Sequence, residues 1–188
     1  MNAVIDIESL ALTADAIILQ IGAVLFDEKN VYIRSPQPFE AWITTHSQPG
    51  RRIDHDTVMW WFNPQQDEAR TYLWRKRAFA CSLTAALDSL TFWFHVNQPT
   101  ELWARGPQFD VAALEHAYAS MGRSVPWGHR APRNVRTLMS THQGSDDFPD
   151  VALIAEKLLK RSTKHDALYD AIEDAVIVRA LLGYPPLG

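Results

Sequence analysis

AVIDIESL, residues 3–10, sets two carboxylates, Asp6 and Glu8, into an apolar run that otherwise reads as a buried β-strand. Strand side chains alternate with period two, so Asp6 and Glu8 leave the same face, roughly 6–7 Å apart, while Ile5 and Ile7 take the other. Two anions held that close in a partly desolvated setting repel each other, and an uncompensated buried charge is costly, so a positive partner is required. No Lys or Arg precedes Lys29. The partner is therefore a basic side chain from far along the chain, or a bound cation.

Outward from this stretch, AIILQIGAVLFD is rich in β-branched and large apolar residues and predicts a second strand, with a third extended stretch in VYIRSPQPFEAWI. Short turns between them predict an antiparallel start. From Asp56 to about Gln66, and again from Ser82 to Val96, the apolar spacing turns helical, with Pro64 and Pro99 as breaks. ELWAR, 101–105, predicts a short strand broken by Gly106-Pro107, and FDVAALEHAYASMG then predicts a helix closed by Gly122. Residues 123–134, rich in Pro, Arg and Gly, read as a loop, followed by NVRTLMS, VALIAEKLLKR and a last helix through HDALYDAIEDAVIVRALLG. Three antiparallel strands followed by alternating helix and strand predict an α/β mixed sheet flanked by helices.

With 188 residues, 47% of them hydrophobic and 21% charged, the chain is expected to form a single domain, 1–188, with a substantial core. Cys81 is the one cysteine and lacks the C-x-x-C spacing of a zinc or redox centre; it fits a reducing, cytoplasmic setting. The N-terminus carries no basic n-region, and AIILQIGAVLF, interrupted by Gln20, is too short to span a bilayer, so no membrane association is expected. A net charge of −4 argues against a nucleic-acid binder taken as a sum, yet the bases cluster, as in Arg75-Lys76-Arg77 and in Arg130, Arg133 and Arg136. An acidic core site with basic surroundings fits this distribution.

If Asp6 and Glu8 bind a hard cation such as Mg²⁺ or Mn²⁺, further oxygen ligands must converge on them. Asp110 opens the mid-chain helix just past ELWAR, and Asp170 lies one turn into the last helix. His165 precedes Asp170 by five positions, about 140° of rotation on a continuous helix, so His165 belongs to the lead-in and reaches over. Thr163 and Asp166 have the spacing of a capping box there. Each residue alone has an ordinary reading: Asp110 as an acid at a helix N-terminus, Asp170 and Asp174 as a solvated face, His165 as a capping residue. The joint pattern carries the weight: Asp-x-Glu on the first strand, Asp opening a mid-chain helix, and His-x-x-x-x-Asp entering the last.

That order, over nearly the whole chain, resembles the DEDDh, or DnaQ-like, 3′–5′ exonucleases, with DIES at 6–9, GPQFDVAALEHAY at 106–118 and HDALYDA at 165–171. DHDTVMWWFNPQQDEAR, 54–70, is similar to a segment of the small RNase T-like enzymes of bacteria and phages. Ser9 stands where many relatives have Thr. The resemblance implies an RNase H-like fold with a mixed five-stranded sheet, three antiparallel strands and then parallel additions.

It further implies that Asp6, Glu8, Asp110 and Asp170 hold two divalent ions, Mg or Mn, with Asp6 bridging, and that His165 takes the proton from the attacking water. The expected substrate is single-stranded RNA or DNA with a free 3′ end, the products nucleoside 5′-monophosphates, and the enzyme a homodimer. The residues after the first motif, Ser9 and Leu10, would seat the terminal nucleotide. Adjacent Trp60 and Trp61 cannot face one way on a helix, so one at most is a base-stacking platform. Arg133 and Arg136, with Arg130, are candidates for tracking phosphates. Two rivals stand beside this reading: an RNase H-like endonuclease or polynucleotidyl transferase, which has no need of His-x-x-x-x-Asp, and a nucleic-acid-binding module without catalysis.

Overall fold

The computed structural model of the chain describes residues 1–142, 151–160 and 164–187. Its centre is β1 (Asn2–Ser9), paired antiparallel along its length with β2 (Ile18–Phe26), with Asp6 opposite Gly22. On the far side β1 pairs in parallel with β5 (Leu102–Ala104), which pairs in parallel with β6 (Pro132–Asn134). The outer edge of β2 carries two short strands, β3 (Val31–Tyr32) against Leu25–Phe26 and β4 (Phe39–Trp42) against Gln20–Ala23. The expected five-stranded sheet is thus six-stranded. The stretch read as one third strand is split around Pro36 and Pro38, which lack the N–H a ladder needs, and its halves lie end to end along one edge, so the mixed order is unchanged. Likewise the end of the 123–134 loop is β6, an edge strand that accommodates Pro132.

Helices cover both faces. Ile5 and Ile7 pack with Leu83, Leu87 and Leu90 of α3 (Leu83–Asn97) and with Val111 and Leu114 of α4 (Asp110–Ser120). Val4, Val24 and Phe26 face the other way, onto Leu168, Ile172 and Val176 of α7 (Ala167–Leu181), with α5 (Val135–Thr141) and α6 (Val151–Leu159) beside it. By parity Asp6 and Glu8 belong to the α7 face. Two more helices, α1 (His55–Trp61) and α2 (Asp67–Lys76), stand where one helix to about Gln66 was expected. Pro64 stops the first, and α2 buries only Ala69, so it has no apolar stripe to betray it. Among the described residues no helix is long and apolar enough to cross a membrane.

Two devices fix the start of α7 over β2. A Cβ built at Gly22 would lie 2.2 Å from Leu168 N and 2.3 Å from Ala167 C, so only glycine lets the helix backbone come this close. Gln20, fully buried, then clamps the helix end: its Nε2 donates to Asp166 Oδ1 (2.9 Å) and its Oε1 accepts from Ala167 N (3.1 Å). Asp166 is the N-cap, accepting from Leu168 N. Its expected capping-box partner Thr163 lies outside the described residues.

Candidate active site

The C-terminal ends of β1 and β5 open into a cleft of about 840 Å³. Strand β1 brings Asp6 and Glu8 to its floor, and the start of α4 brings Asp110, whose N–H bonds back to Gly106 O (3.0 Å). The first turn of α7 brings Asp170, and the bend before it brings His165. The bend uses a left-handed residue, His165 itself at φ 60°, which points its ring back over the strand. Ligand atoms of Glu8, His165 and Asp170 all lie within 4.8 Å of one another. The lead-in placement of His165 is what makes this meeting possible.

Crowded, desolvated carboxylates resist ionisation. Burial, reinforced by the charges of Asp110, Glu8 and Asp170, holds Asp6 well above the usual carboxylate range. Glu8 is raised likewise by burial and by Asp170 and Asp166. Burial pushes Asp110 up to about 7 against the opposing pull of backbone N–H groups, and pushes Asp170 up to about 7 with help from Glu173 and Asp174. For His165 burial acts the other way, lowering its pKa, with Lys164 adding to the effect. The imidazole is therefore neutral, and free to accept a proton, at neutral pH.

A basic side chain from far along the chain does arrive. Arg105, directly after β5, lines the cleft, but both its Nε and its Nη2 donate to Asp174 Oδ1, one turn beyond Asp170 on α7. Asp174, expected on a solvated face, is only 2% exposed. Arg136 lines the same wall. Once ionised, five clustered carboxylates against two guanidiniums leave an excess of negative charge that divalent cations would balance, and carboxylate oxygens are the donors that hard cations prefer. The buried acids thus have both kinds of compensation: an arginine for Asp174, and a metal-ready site for the rest.

The residues expected to touch substrate divide. Trp61 is buried, its Nε1 donating to Ser9 O (2.9 Å), so it braces the end of β1. Trp60 is 39% exposed and stands edge-on to His165, ring centroids 4.7 Å apart, at the cleft wall. Ser9 lines the cleft, although its hydroxyl is spent on Ala11 O. Leu10 does not line it. The β1–β2 register breaks between Glu8 and Ser9, strand alternation ends there, and Leu12, 76% exposed, faces the cleft instead. Leu10 holds the base of the wall through its backbone, donating to Ile17 O and accepting from Asp54 N. Arg133 is also outside the cleft, tied to Glu101 (3.0 Å) and to the carbonyls of Arg130 and Pro132, whereas Arg136 is inside. Nothing in the sequence singles out Arg105, and Asp174 reads there only as part of a solvated face. The available signal was Asp174 standing four residues after Asp170, hence on the same helix face.

No curated protein matches the chain by sequence. Among solved structures, exonuclease X in complex with 5′-overhanging duplex DNA superposes with a TM-score of 0.58 at 16% identity, covering 97% of this chain and 92% of that one. The nuclease domain of 3′hExo, a DEDDh family member bound to rAMP, gives 0.57 at 15% identity over 96% and 90% of the two chains. The Mg²⁺- and Mn²⁺-bound form of S. pombe Pop2p gives 0.55 at 12% identity over 95% and 82%. At these identities the likeness establishes the fold. The family description that matches, over residues 1–182, is the 3′-5′ exoribonuclease Rv2179c-like domain. The chain belongs to that family, and is thus a hydrolytic 3′–5′ exonuclease.

Proposed function

We propose that the chain removes nucleotides one at a time from the free 3′ end of single-stranded nucleic acid, releasing nucleoside 5′-monophosphates with the help of two Mg²⁺ or Mn²⁺ ions. The observation that carries this reading is the convergence of Asp6, Glu8, Asp110 and Asp170 with His165 in one cleft, with the acids raised in pKa by burial and mutual repulsion. Those four carboxylates would hold the ions, whose chemistry is to polarise the phosphodiester, activate water and steady the leaving oxygen. The Mg²⁺ and Mn²⁺ carried by Pop2p and the rAMP carried by 3′hExo support the choice of metal and product class.

The chain's own groups supply the rest. His165, neutral at pH 7 and held by its left-handed bend, takes the proton from the attacking water. Trp60 offers an exposed ring to the terminal base while Trp61, buried behind it, fixes its position. The cleft wall at Ser9 and Leu12 bounds the space the terminal nucleotide enters. An RNase T-like placement is supported by the sequence of the segment 54–70, of which Asp54, Asp56, Thr57, Trp60 and Trp61 line the cleft, and homodimerisation by resemblance alone; a solution mass near 21 kDa would refute the dimer.

The test is to incubate 5′-labelled linear and circular single strands, RNA and DNA, with Mg²⁺ or Mn²⁺. A ladder shortening from the 3′ end of linear strands, mononucleotide products and intact circles are expected. Cut circles would replace this reading with the endonuclease one, and intact substrate throughout would leave only a binding module.

A further inference from the structure

Proton transfer and metal binding leave two guanidiniums in the cleft without a task. Arg105 is pinned: Nε (2.8 Å) and Nη2 both donate to the buried Oδ1 of Asp174, while 42% of the Arg105 side chain stays exposed on the cleft side. Arg136 reaches the same place from α5. A Cβ at Gly106 would lie 3.7 Å from Arg136 Nη1 and 3.9 Å from Asp110 Oδ2, so both that guanidinium and the Asp110 carboxylate stand beside Gly106. No described residue takes a hydrogen bond from Arg136.

A partly buried Arg–Asp pair of this kind does little for stability, because desolvation offsets the attraction; what it secures is orientation. Two donations to one oxygen fix the plane of the Arg105 fork and leave Nη1 for an incoming group. That group has to be anionic and has to tolerate five neighbouring carboxylates, conditions that a phosphate meets when cations flank it. The two arginines and Trp60 with His165 line the same cleft, which gives a nucleotide cationic donors for its phosphate and an aromatic ring for its base.

We propose that Arg105, oriented by Asp174, and Arg136 form a clamp for the phosphates of the substrate backbone and for the 5′-phosphate of the released nucleotide. The inference rests on the exonuclease reading. Asp174 acts through Arg105 and is a positioning residue; the arginines touch phosphate.

The experiment is steady-state hydrolysis of a single-stranded oligoribonucleotide with Mn²⁺ over a salt series, with 5′-AMP and adenosine as inhibitors. Because Arg105→Ala would strand the buried Asp174 charge, the pair is removed together as Arg105→Met/Asp174→Leu, beside Arg136→Ala and Arg105→Lys. In the double variant and in Arg136→Ala, KM should rise about tenfold or more, as expected for losing a charged hydrogen bond, with kcat falling less than about threefold. The slope of log KM against log salt should shrink by about 0.7 for each phosphate that is no longer neutralised. AMP inhibition should weaken in step while adenosine inhibition holds, and Arg105→Lys should keep the salt slope with an intermediate KM. Mn²⁺ titrations should match wild type. If the wild type shortens RNA and both arginine variants keep its KM and salt slope, or AMP and adenosine weaken alike, the clamp is overturned alone. If the wild type leaves RNA intact, the exonuclease reading falls and the clamp with it.

Discussion

Asp6 has four acids acting on it, Asp110, Glu8, Asp170 and Asp174, and no arginine committed to it. Its charge is therefore a liability in the metal-free protein and an asset once ions bind. Asp6→Asn should leave the metal-free protein as stable as wild type or more so by about 1 kcal/mol, a rise in melting temperature of about 2–4 °C for a chain of this size. Activity should vanish, and the stabilisation that Mn²⁺ gives wild type by mass action should be largely lost. Equal Mn²⁺-induced shifts in the two proteins, read by differential scanning fluorimetry, would refute the ligand role. His165 calls for a different substitution. At φ 60° an alanine adds backbone strain to the loss of the imidazole, whereas asparagine tolerates that conformation, so His165→Asn isolates the chemistry. Turnover should fall by about 10²–10⁴ with Mn²⁺ affinity kept within a few fold. The wild-type rate should climb with pH through an inflection below the ordinary 6.5 of histidine, since burial favours the neutral ring, and the variant should lack that inflection.

One helix end sets the geometry of the site. The start of α7 carries His165 and Asp170, and its position over β1 depends on Gly22 and Gln20. Gly22→Ala places a methyl where the backbone of Ala167 and Leu168 already stands, and neither can yield without lifting the helix. Overpacking of this kind costs about 1–3 kcal/mol, more where backbone must move. The variant should lose at least that much in urea denaturation and lose most of its activity too, even though residue 22 touches no substrate. Wild-type stability in Gly22→Ala would mean that α7 can seat elsewhere. This dependence also marks the boundary of what the sequence could tell. Asp-x-Glu in a strand, the Asp after Gly-Pro and the His-x-x-x-x-Asp lead-in are local patterns with fixed geometric consequences, so the acids and the imidazole were legible. The docking of α7 on Gly22, the pairing of Arg105 with Asp174 across 69 positions and the turning of Arg133 onto Glu101 are tertiary events with no local signature. Helix α2 escaped for the opposite reason: it is local, but with Ala69 its one buried residue, periodicity had nothing to register.

Across the whole molecule, the cleft makes stability depend on pH in a sense opposite to ordinary acid denaturation. Asp110 and Asp170 titrate near 7 in the folded chain and near the usual 3.8 when unfolded, so between those values the folded state binds the extra protons. Stability then falls as pH rises: the contribution is fully present below about 4 and is lost as pH passes through about 7. His165 works against this in the upper part of the window. Its lowered pKa means that the unfolded chain binds the extra proton there, which favours folding as pH rises. The buried carboxylates, Asp6 and Glu8 raised in the same direction as Asp110 and Asp170, outweigh one half-buried imidazole, so the net stability should fall across this window. Saturating Mn²⁺ should reverse the trend, because the ions bind the ionised carboxylates and their stabilisation grows as protons leave. Urea midpoints measured from about pH 4.5 to about pH 7.5 should therefore descend in EDTA and climb in Mn²⁺. Midpoints that climb in both would mean that the four acids stand in water rather than against one another, and the cleft would lose its claim to be a metal centre.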